Sequence, residues 1–297
     1  MFKGSITALI TPLKNGKVDE KAFQDLIEWQ INQGSHGFVP CGTTGESPTL
    51  THEEHERVID LCIEAANGKV PVIAGTGSNS TDEAISLTKF SKGAGADAAL
   101  VVTPYYNKPT QEGLYHHFKA INDSCDLPII IYNIPGRSVV DINIETMKKL
   151  AKLKNIIGVK DSSNDLTRPL LTTKSIGKNF CQISGEDATV VPFLSQGGHG
   201  CISVTANIVP RMCSDLHNAW QKGNFKKVQS LNSFLFPLHN VLFLETSPGP
   251  VKYAASLLKI CSEELRLPLV KVAPNTKKEI KLILTKLKIK PIKKNKC

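Results

Sequence analysis

The sequence predicts an α/β protein, a (β/α)8 or TIM barrel followed by a small C-terminal helical domain. Three observations predict it. Eight short apolar runs bounded by Gly and Pro recur about every 30 residues. Within each run successive residues are apolar or β-branched, as in parallel strands buried on both faces. Helical patterns lie between the runs, giving eight strand–helix units. An open doubly wound sheet is the rival. It would usually show fewer strands and a glycine-rich phosphate loop after the first, where this chain has Thr11-Pro12-Leu13.

The first run is 5–11, and a helix follows over 21–33, with Phe23, Leu26, Ile27 and Gln30-Ile31 at helical spacing. The second run is 37–41, after which Thr51 with Glu54 forms a capping box that opens the next helix. The third is 71–75, followed by Ser80 with Glu83 as a second capping box. The fourth and fifth are 98–104 and 128–133, and Asn143 is the N-cap of a helix running through 153. The last three are 156–161, 181–185 and 201–206. After Gly223-Asn224 the pattern changes: 225–290 reads as helical, with Pro237, Pro248, Pro250 and Pro268 as breaks. The expected division is a barrel over 1–224 and a helical domain over 225–297. The last helix, 277–288, sets Ile280, Leu282, Ile283, Leu284 and Leu287 between lysines, as an amphipathic helix packing on the barrel or on a partner subunit.

Composition excludes several function classes. At 297 residues and 41% hydrophobic, the chain builds a core without disulfide or metal staples, and 21% charged residues with no polar low-complexity tract exclude disorder for most of it. No apolar run approaches the roughly 20 residues that span a bilayer. The start, Met-Phe-Lys-Gly-Ser-Ile-Thr, enters a strand pattern with no apolar leader, so a cytoplasmic location is expected. The net charge of +9 is concentrated: residues 276–297 hold nine lysines against one acid, Glu279, which leaves about +1 for the other 275 residues. A face-wide nucleic-acid footprint is therefore not expected. The eight cysteines are scattered with no Cys-x-x-Cys, which reads as reduced, mostly buried thiols, with neither a zinc site nor a cofactor.

In such a barrel the chemistry sits at the C-terminal ends of the strands. Lys160 is the unusual residue there. It emerges from Ile156-Ile157-Gly158-Val159, and a lysine is rarely buried without a partner or a purpose. Two readings stand on position alone: an ion pair with Asp161 or another strand-end carboxylate, or an amine whose pKa, ordinarily about 10.4, is lowered by desolvation to make a nucleophile. Tyr132 ends the neighbouring strand, where a phenol serves as a proton shuttle or as packing. Thr43 and Thr44, with the backbone N–H groups around Gly42 and Gly45, are suited to relay protons or to hold a carboxylate. Together these residues point to carbonyl chemistry through an imine.

Several motifs then carry a resemblance. Gly42-Thr43-Thr44-Gly45-Glu46-Ser47, Thr103-Pro104-Tyr105-Tyr106-Asn107, Tyr132-Asn133-Ile134-Pro135-Gly136-Arg137, Ile157-Gly158-Val159-Lys160 and Gly197-Gly198-His199-Gly200 through Ser203-Val204 resemble those of the dihydrodipicolinate synthase family, in the same order. The likeness runs from Phe2 to about Pro274. It implies a class I pyruvate aldolase on a (β/α)8 barrel, without metal or cofactor. Lys160 would form the imine with pyruvate and Tyr132 would donate and accept the proton. Thr43 would link Tyr132 to Tyr106 of a neighbouring subunit. Thr44 and the backbone of Ile202 would hold the pyruvate carboxylate, with Gly185 among the substrate contacts. Arg137 would bind the carboxylate of aspartate semialdehyde, and the product would be 4-hydroxy-tetrahydrodipicolinate. A homotetramer, a dimer of dimers, is implied.

Thr43 and Arg137 favour this acceptor over those of sibling aldolases, such as N-acetylneuraminate lyase or keto-deoxy-sugar-acid aldolases. Lys160-Asp161-Ser162-Ser163 departs toward the wording of the sugar-acid enzymes. The resemblance also implies feedback inhibition by lysine, at positions matching Ser47, Pro48, His52, His55, Asn79, Glu83 and Tyr105. Read without it, Glu83 is a capping residue, and His52 and His55 lie a helical turn apart on a solvated face. His52-Glu53-Glu54-His55 lacks the spacing of a zinc-protease motif. Gly75-Thr76-Gly77-Ser78-Asn79-Ser80 lacks the third glycine of a dinucleotide loop, and His116-His117 reads as helix packing or surface.

Overall fold

Residues 129–131 are three successive isoleucines, all fully buried, and the reason is a barrel wall with apolar layers on both sides. The structure, a computed structural model, describes residues 1–292. Its strands are β1 (Gly4–Ala8), β2 (Leu13–Lys14), β3 (Lys17–Val18), β4 (Gly37–Val39), β5 (Ile73–Gly75), β6 (Ala98–Val102), β7 (Ile129–Asn133), β8 (Ile156–Asp161), β9 (Cys181–Ser184) and β10 (Gly200–Ser203). β1 and β4–β10 form one sheet in the order β4-β1-β10-β9-β8-β7-β6-β5, with parallel pairs throughout. Its two edges meet. Phe38 bridges Val72, Phe38 N–H donates to Pro71 O at 2.9 Å, and Gly75 N–H donates to Pro40 O at 3.0 Å. A Cβ on Gly75 would stand 2.2 Å from the Cys41 carbonyl oxygen, so this seam requires glycine. The closed ring excludes the open-sheet rival.

β2 and β3 form an antiparallel hairpin absent from the sequence reading. Asn15 and Gly16 both have positive φ (53° and 78°), the turn that an Asn-Gly pair favours between two strands. The first barrel strand stops at Ala8 rather than residue 11. Beyond it the backbone turns to other partners, with Ile10 N–H donating to Asn207 Oδ1 at 3.1 Å.

The helices are α1 (Glu20–Asn32), α2 (His52–Ala66), α3 (Thr81–Ala94), α4 (Gln111–Ser124), α5 (Pro135–Ser138), α6 (Ile144–Leu150), α7 (Arg168–Ile176), α8 (Val190–Ser195), α9 (Pro210–Gln221), α10 (Phe225–Val241), α11 (Gly249–Leu257) and α12 (Pro274–Lys286). The Thr51–Glu54 capping box is complete. The one expected at Ser80 is half made: Ser80 accepts the Glu83 N–H, but the Glu83 carboxylate turns to Ser78 and His52 instead. Asn143 caps α6, which ends at Leu150, three residues early. Pro237 does not break α10. Burial of Leu235 and Leu238 on either side offsets a local cost of about 3 kcal/mol. Pro250 lies in the first turn of α11, where its missing N–H costs nothing, and α12 starts earlier than expected, at Pro274.

Side chains alternate across the barrel wall. Ile130 and Tyr132 of β7 join the interior cluster with Ile6, Leu100, Ile183 and Ile202, while Ile129 and Ile131 face the helices. A second helix-facing cluster runs without interruption from Phe23, Leu26 and Val58 into Leu235, Val251 and Ile280 of the C-terminal helices. These helices therefore pack on the barrel. Cys41, Cys62, Cys181, Cys201 and Cys213 are buried free thiols, and burial pushes the Cys181 thiol up to about 11. Cys297 and the end of the lysine-rich tail lie outside the described residues. Among the described residues, no helix is long and apolar enough to cross a membrane.

Candidate active site

The parallel register of β7 on β8 sets Tyr132 directly beside Lys160 and Asn133 beside Asp161. Tyr132 and Lys160 point into the barrel, and each is 6% exposed. Lys160 Nζ stands 4.0 Å from the centroid of the Tyr132 ring, a cation–π contact. Among the described residues no carboxylate lies within ion-pair distance of it. Asp161 belongs to the other face of the strand, where Arg168 Nε meets it at 3.1 Å and Ser163 N–H donates to it at 2.9 Å. Arg168 also holds Asp141 at 3.0 Å. The ion-pair reading of Lys160 with Asp161 is thus not realised.

Ser162 is the next inward position. Its hydroxyl is buried with no partner among the described residues, and it packs on Gly185 so closely that a Cβ there would lie 1.8 Å from Ser162 Oγ and 3.0 Å from Lys160 Cε. Gly185 is therefore glycine chiefly because Ser162 fills the space a Cβ would need, with the Lys160 side chain close by. The adjacent Glu186 carboxyl is held above its ordinary value by burial, with the Lys160 charge opposing.

Thr43–Gly45 forms a tight 3-10 turn beyond β4. The Gly45 N–H is engaged inside it, donating to Gly42 O at 3.0 Å. Thr43, Tyr132 and Arg137 line a cavity of about 270 Å³ with Tyr105, Ile134 and Ser138. Arg137 is exposed, with one guanidinium N–H reaching Ser247 O at 3.4 Å. Lys160, Thr44, Gly185 and Ile202 do not line this cavity. Thr44 is buried within the turn, and Ile202 lies in β10 against Ile6. Tyr106, 91% exposed and with φ of 70°, is not brought to the cavity of its own chain.

A second cavity of about 220 Å³ adjoins the first. Ser47, Pro48, His52, His55, Glu83 and Tyr105 line it, and Ser47, Pro48, Gly77 and Tyr105 line both. His52 Nε2 meets Glu83 at 3.0 Å. His55 is not on a solvated face: it is 5% exposed, its Nε2 donates to Gly75 O at 2.7 Å, and burial lowers its pKa. The Tyr105 phenol is raised by burial and by the nearby Glu83. Asn79 stays outside the cavity, its carbonyl accepting from Asn107 at 2.9 Å. His117 is buried against Thr81, with its pKa lowered to about 4, while His116 is exposed beside Glu112. Among the described residues no group of three or more His, Cys, Asp or Glu is arranged to hold a metal ion.

Three residues around these turns were given no role of their own by the sequence reading. Asp187 accepts the N–H groups of Val204 and Thr205 at 2.9 and 3.1 Å, fixing the chain just beyond Ile202. Glu46 and Lys252 form a buried ion pair at 2.6 Å. A single lysine in the apolar stretch Pro250–Ala255 was the available signal for Lys252.

Comparison with known proteins finds relatives over nearly the whole chain. A family model described as the dihydrodipicolinate synthetase family matches residues 1–287. A 4-hydroxy-tetrahydrodipicolinate synthase of Rhodospirillum centenum is 64% identical over 286 residues, 96% of this chain and 98% of that protein. The crystal structure of a dihydrodipicolinate synthase from Aquifex aeolicus superposes with a TM-score of 0.96 at 46% identity, covering 99% of this chain and all of that one. The Acinetobacter baumannii enzyme complexed with pyruvate gives 0.95 at 44% identity, covering 97% of this chain and 100% of that one. The Cyanidioschyzon merolae enzyme with lysine bound gives 0.94 at 36%, covering 97% and 99%.

Proposed function

Because the chain belongs to the dihydrodipicolinate synthetase family, we propose that it condenses pyruvate with L-aspartate 4-semialdehyde, through a Schiff base on Lys160, to give 4-hydroxy-tetrahydrodipicolinate. That product opens the diaminopimelate and lysine branch. The observation that carries the reading is the buried Lys160 amine, with no carboxylate within ion-pair distance among the described residues and 4.0 Å from the Tyr132 ring centroid at the barrel mouth.

The chemistry follows from these groups. The Lys160 amine attacks the pyruvate keto carbon, and loss of water gives the imine. The Tyr132 phenol carries protons to and from the carbinolamine and the methyl carbon, leaving an enamine. The enamine carbon attacks the aldehyde. The amino group of the joined product then attacks the imine carbon, closing the ring and releasing Lys160. Thr43 connects Tyr132 to Tyr106 of a neighbouring subunit, and the 91% exposure of Tyr106 supports its use there. Thr44 and the Ile202 backbone hold the pyruvate carboxylate, and Gly185 leaves the space beside Lys160. Arg137 binds the semialdehyde carboxylate, which its exposed position on the cavity wall supports. No metal or cofactor takes part.

The same reading assigns a catalytic barrel to residues 1–224 and a helical unit to 225–297, in a cytoplasmic homotetramer built as a dimer of dimers. It places feedback inhibition by lysine in the second cavity, where the Glu83 carboxylate faces an ammonium group. The shared wall of the two cavities and the lysine-bound relative support this.

Borohydride reduction in the presence of pyruvate tests the central step. The expected result is one reduced pyruvate adduct per chain, on the peptide containing Lys160, and none in Lys160→Ala. Trapping that survives in the variant sinks the assignment. Consumption of aspartate semialdehyde, slowed by added lysine, tests the acceptor and the regulation in one assay.

A further inference from the structure

We propose that Glu46 and Lys252 are positioning residues for this reaction, setting from helix α11 where the Thr43–Thr44 turn stands in the barrel mouth. The inference rests on the roles assigned to those two threonines.

Glu46 follows the turn directly and holds a left-handed backbone, φ 57°, which is costly for a residue with a side chain. Both carboxylate oxygens are engaged. Oε1 receives Lys252 Nζ at 2.6 Å, and Oε2 accepts the Arg266 backbone N–H at 3.3 Å. The preceding carbonyl, Gly45 O, accepts the Thr11 hydroxyl at 2.7 Å. The turn is thus fastened to the barrel on one side and to the C-terminal segment on the other. Arg266 extends the clamp, donating to Thr49 O at 2.7 Å and gripping Glu54 at 2.5 and 2.6 Å.

The Lys252 side chain is fully buried and that of Glu46 is 2% exposed. A buried ion pair is a poor device for stability alone, because desolvation offsets its attraction and apolar residues of similar volume often serve as well. What such a pair supplies here is a fixed distance between α11 and the turn. Ser47 and Pro48, next along the chain, line both cavities, so the clamp also fixes their common wall.

Two variants test this. Glu46→Asp keeps the charge but shortens the reach by one methylene, so the pair survives only if the turn moves by about 1 Å. A displacement of that size costs on the order of 10²-fold in a well-aligned site. The expected result is a fall in kcat of roughly tenfold or more, with the unfolding midpoint little changed and pyruvate still trapped on Lys160 at saturation. Glu46→Gln with Lys252→Met removes both charges together, and the same loss of kcat is expected in a folded protein. Either folded variant turning over within about twofold of the parent overturns the proposal. Loss of fold in both assigns the pair to stability alone and overturns it too. Failure of the parent itself to trap pyruvate removes the underlying reading, a result distinct from any of these.

Discussion

Lys160 and Lys252 are both buried, and the protein treats them in opposite ways. Lys252 in α11 is enclosed with Glu46 at 2.6 Å, and its neighbours satisfy the rest of that carboxylate. Lys160 in β8 has an aromatic ring beside it and no carboxylate within ion-pair distance among the described residues, although Asp161 is its chain neighbour. Strand alternation sends Asp161 to the other face, and Arg168 occupies it there. A charge removed from water must be paired, neutralised or used. Lys252 is paired; Lys160, on the function proposed above, is used.

The comparison breaks most sharply by giving both lysines the same substitution. Lys160→Met is expected to abolish condensation while leaving stability equal or higher, since no ion pair is lost. Lys252→Met is expected to destabilise by about 3–5 kcal/mol, because Glu46 is left buried and uncompensated. Urea unfolding and the condensation assay on both variants check this. Equal stability losses in the two would show that Lys160 has a partner after all. Next in size is Tyr132→Phe. It keeps the ring under Lys160 and removes the hydroxyl, so turnover should fall about 10²–10⁴-fold with stability within about 1 kcal/mol. Steady-state kinetics and a thermal melt decide it, and turnover near the parent value would reduce Tyr132 to packing.

The same contrast explains what was legible in the sequence. Lys160 and Tyr132 could be paired in advance because each closes an apolar run and consecutive barrel strands are neighbours, so position along the chain translates into position in space. Glu46 and Lys252 are 206 residues apart and meet through tertiary packing, which no local pattern encodes. The hairpin at Asn15-Gly16 had a readable turn signal, but strands of two residues are too short to show alternation. His55 looked solvated because its neighbours on α2 are charged; the Gly75 carbonyl that holds it lies on β5. Pro237 read as a break because local chemistry says so, and buried leucines on both sides overrule it.

Two buried histidines take the remaining option, neutrality. Burial lowers His217 to about 3 and His117 to about 4, with the His36 charge adding to the effect at His217. The unfolded chain takes up these protons near pH 6.5 and the folded one far lower. Their contribution to stability is therefore complete above about pH 6.5 and lost as pH falls toward the folded values. Each such group should remove about 1–2 kcal/mol between pH 6.5 and 5. Denaturant unfolding across that range checks it, and His217→Asn should flatten the slope. A slope unchanged by the variant would mean that His217 is charged in the fold.

The smallest effect is expected where an ion pair is left in water. Arg57 reaches Glu20 at 2.8 Å and Glu64 at 3.4 Å, but its side chain is 43% exposed and theirs are 48% and 56%. Solvent screens the attraction and hydrates whichever partner remains, so Arg57→Ala should cost no more than about 1 kcal/mol, less at high salt. Urea midpoints at low and high salt measure it. A loss approaching that of Lys252→Met would mean that the number of ion contacts, rather than removal from water, sets the cost of breaking a pair. The distinction drawn between the two buried lysines would then lose its physical basis.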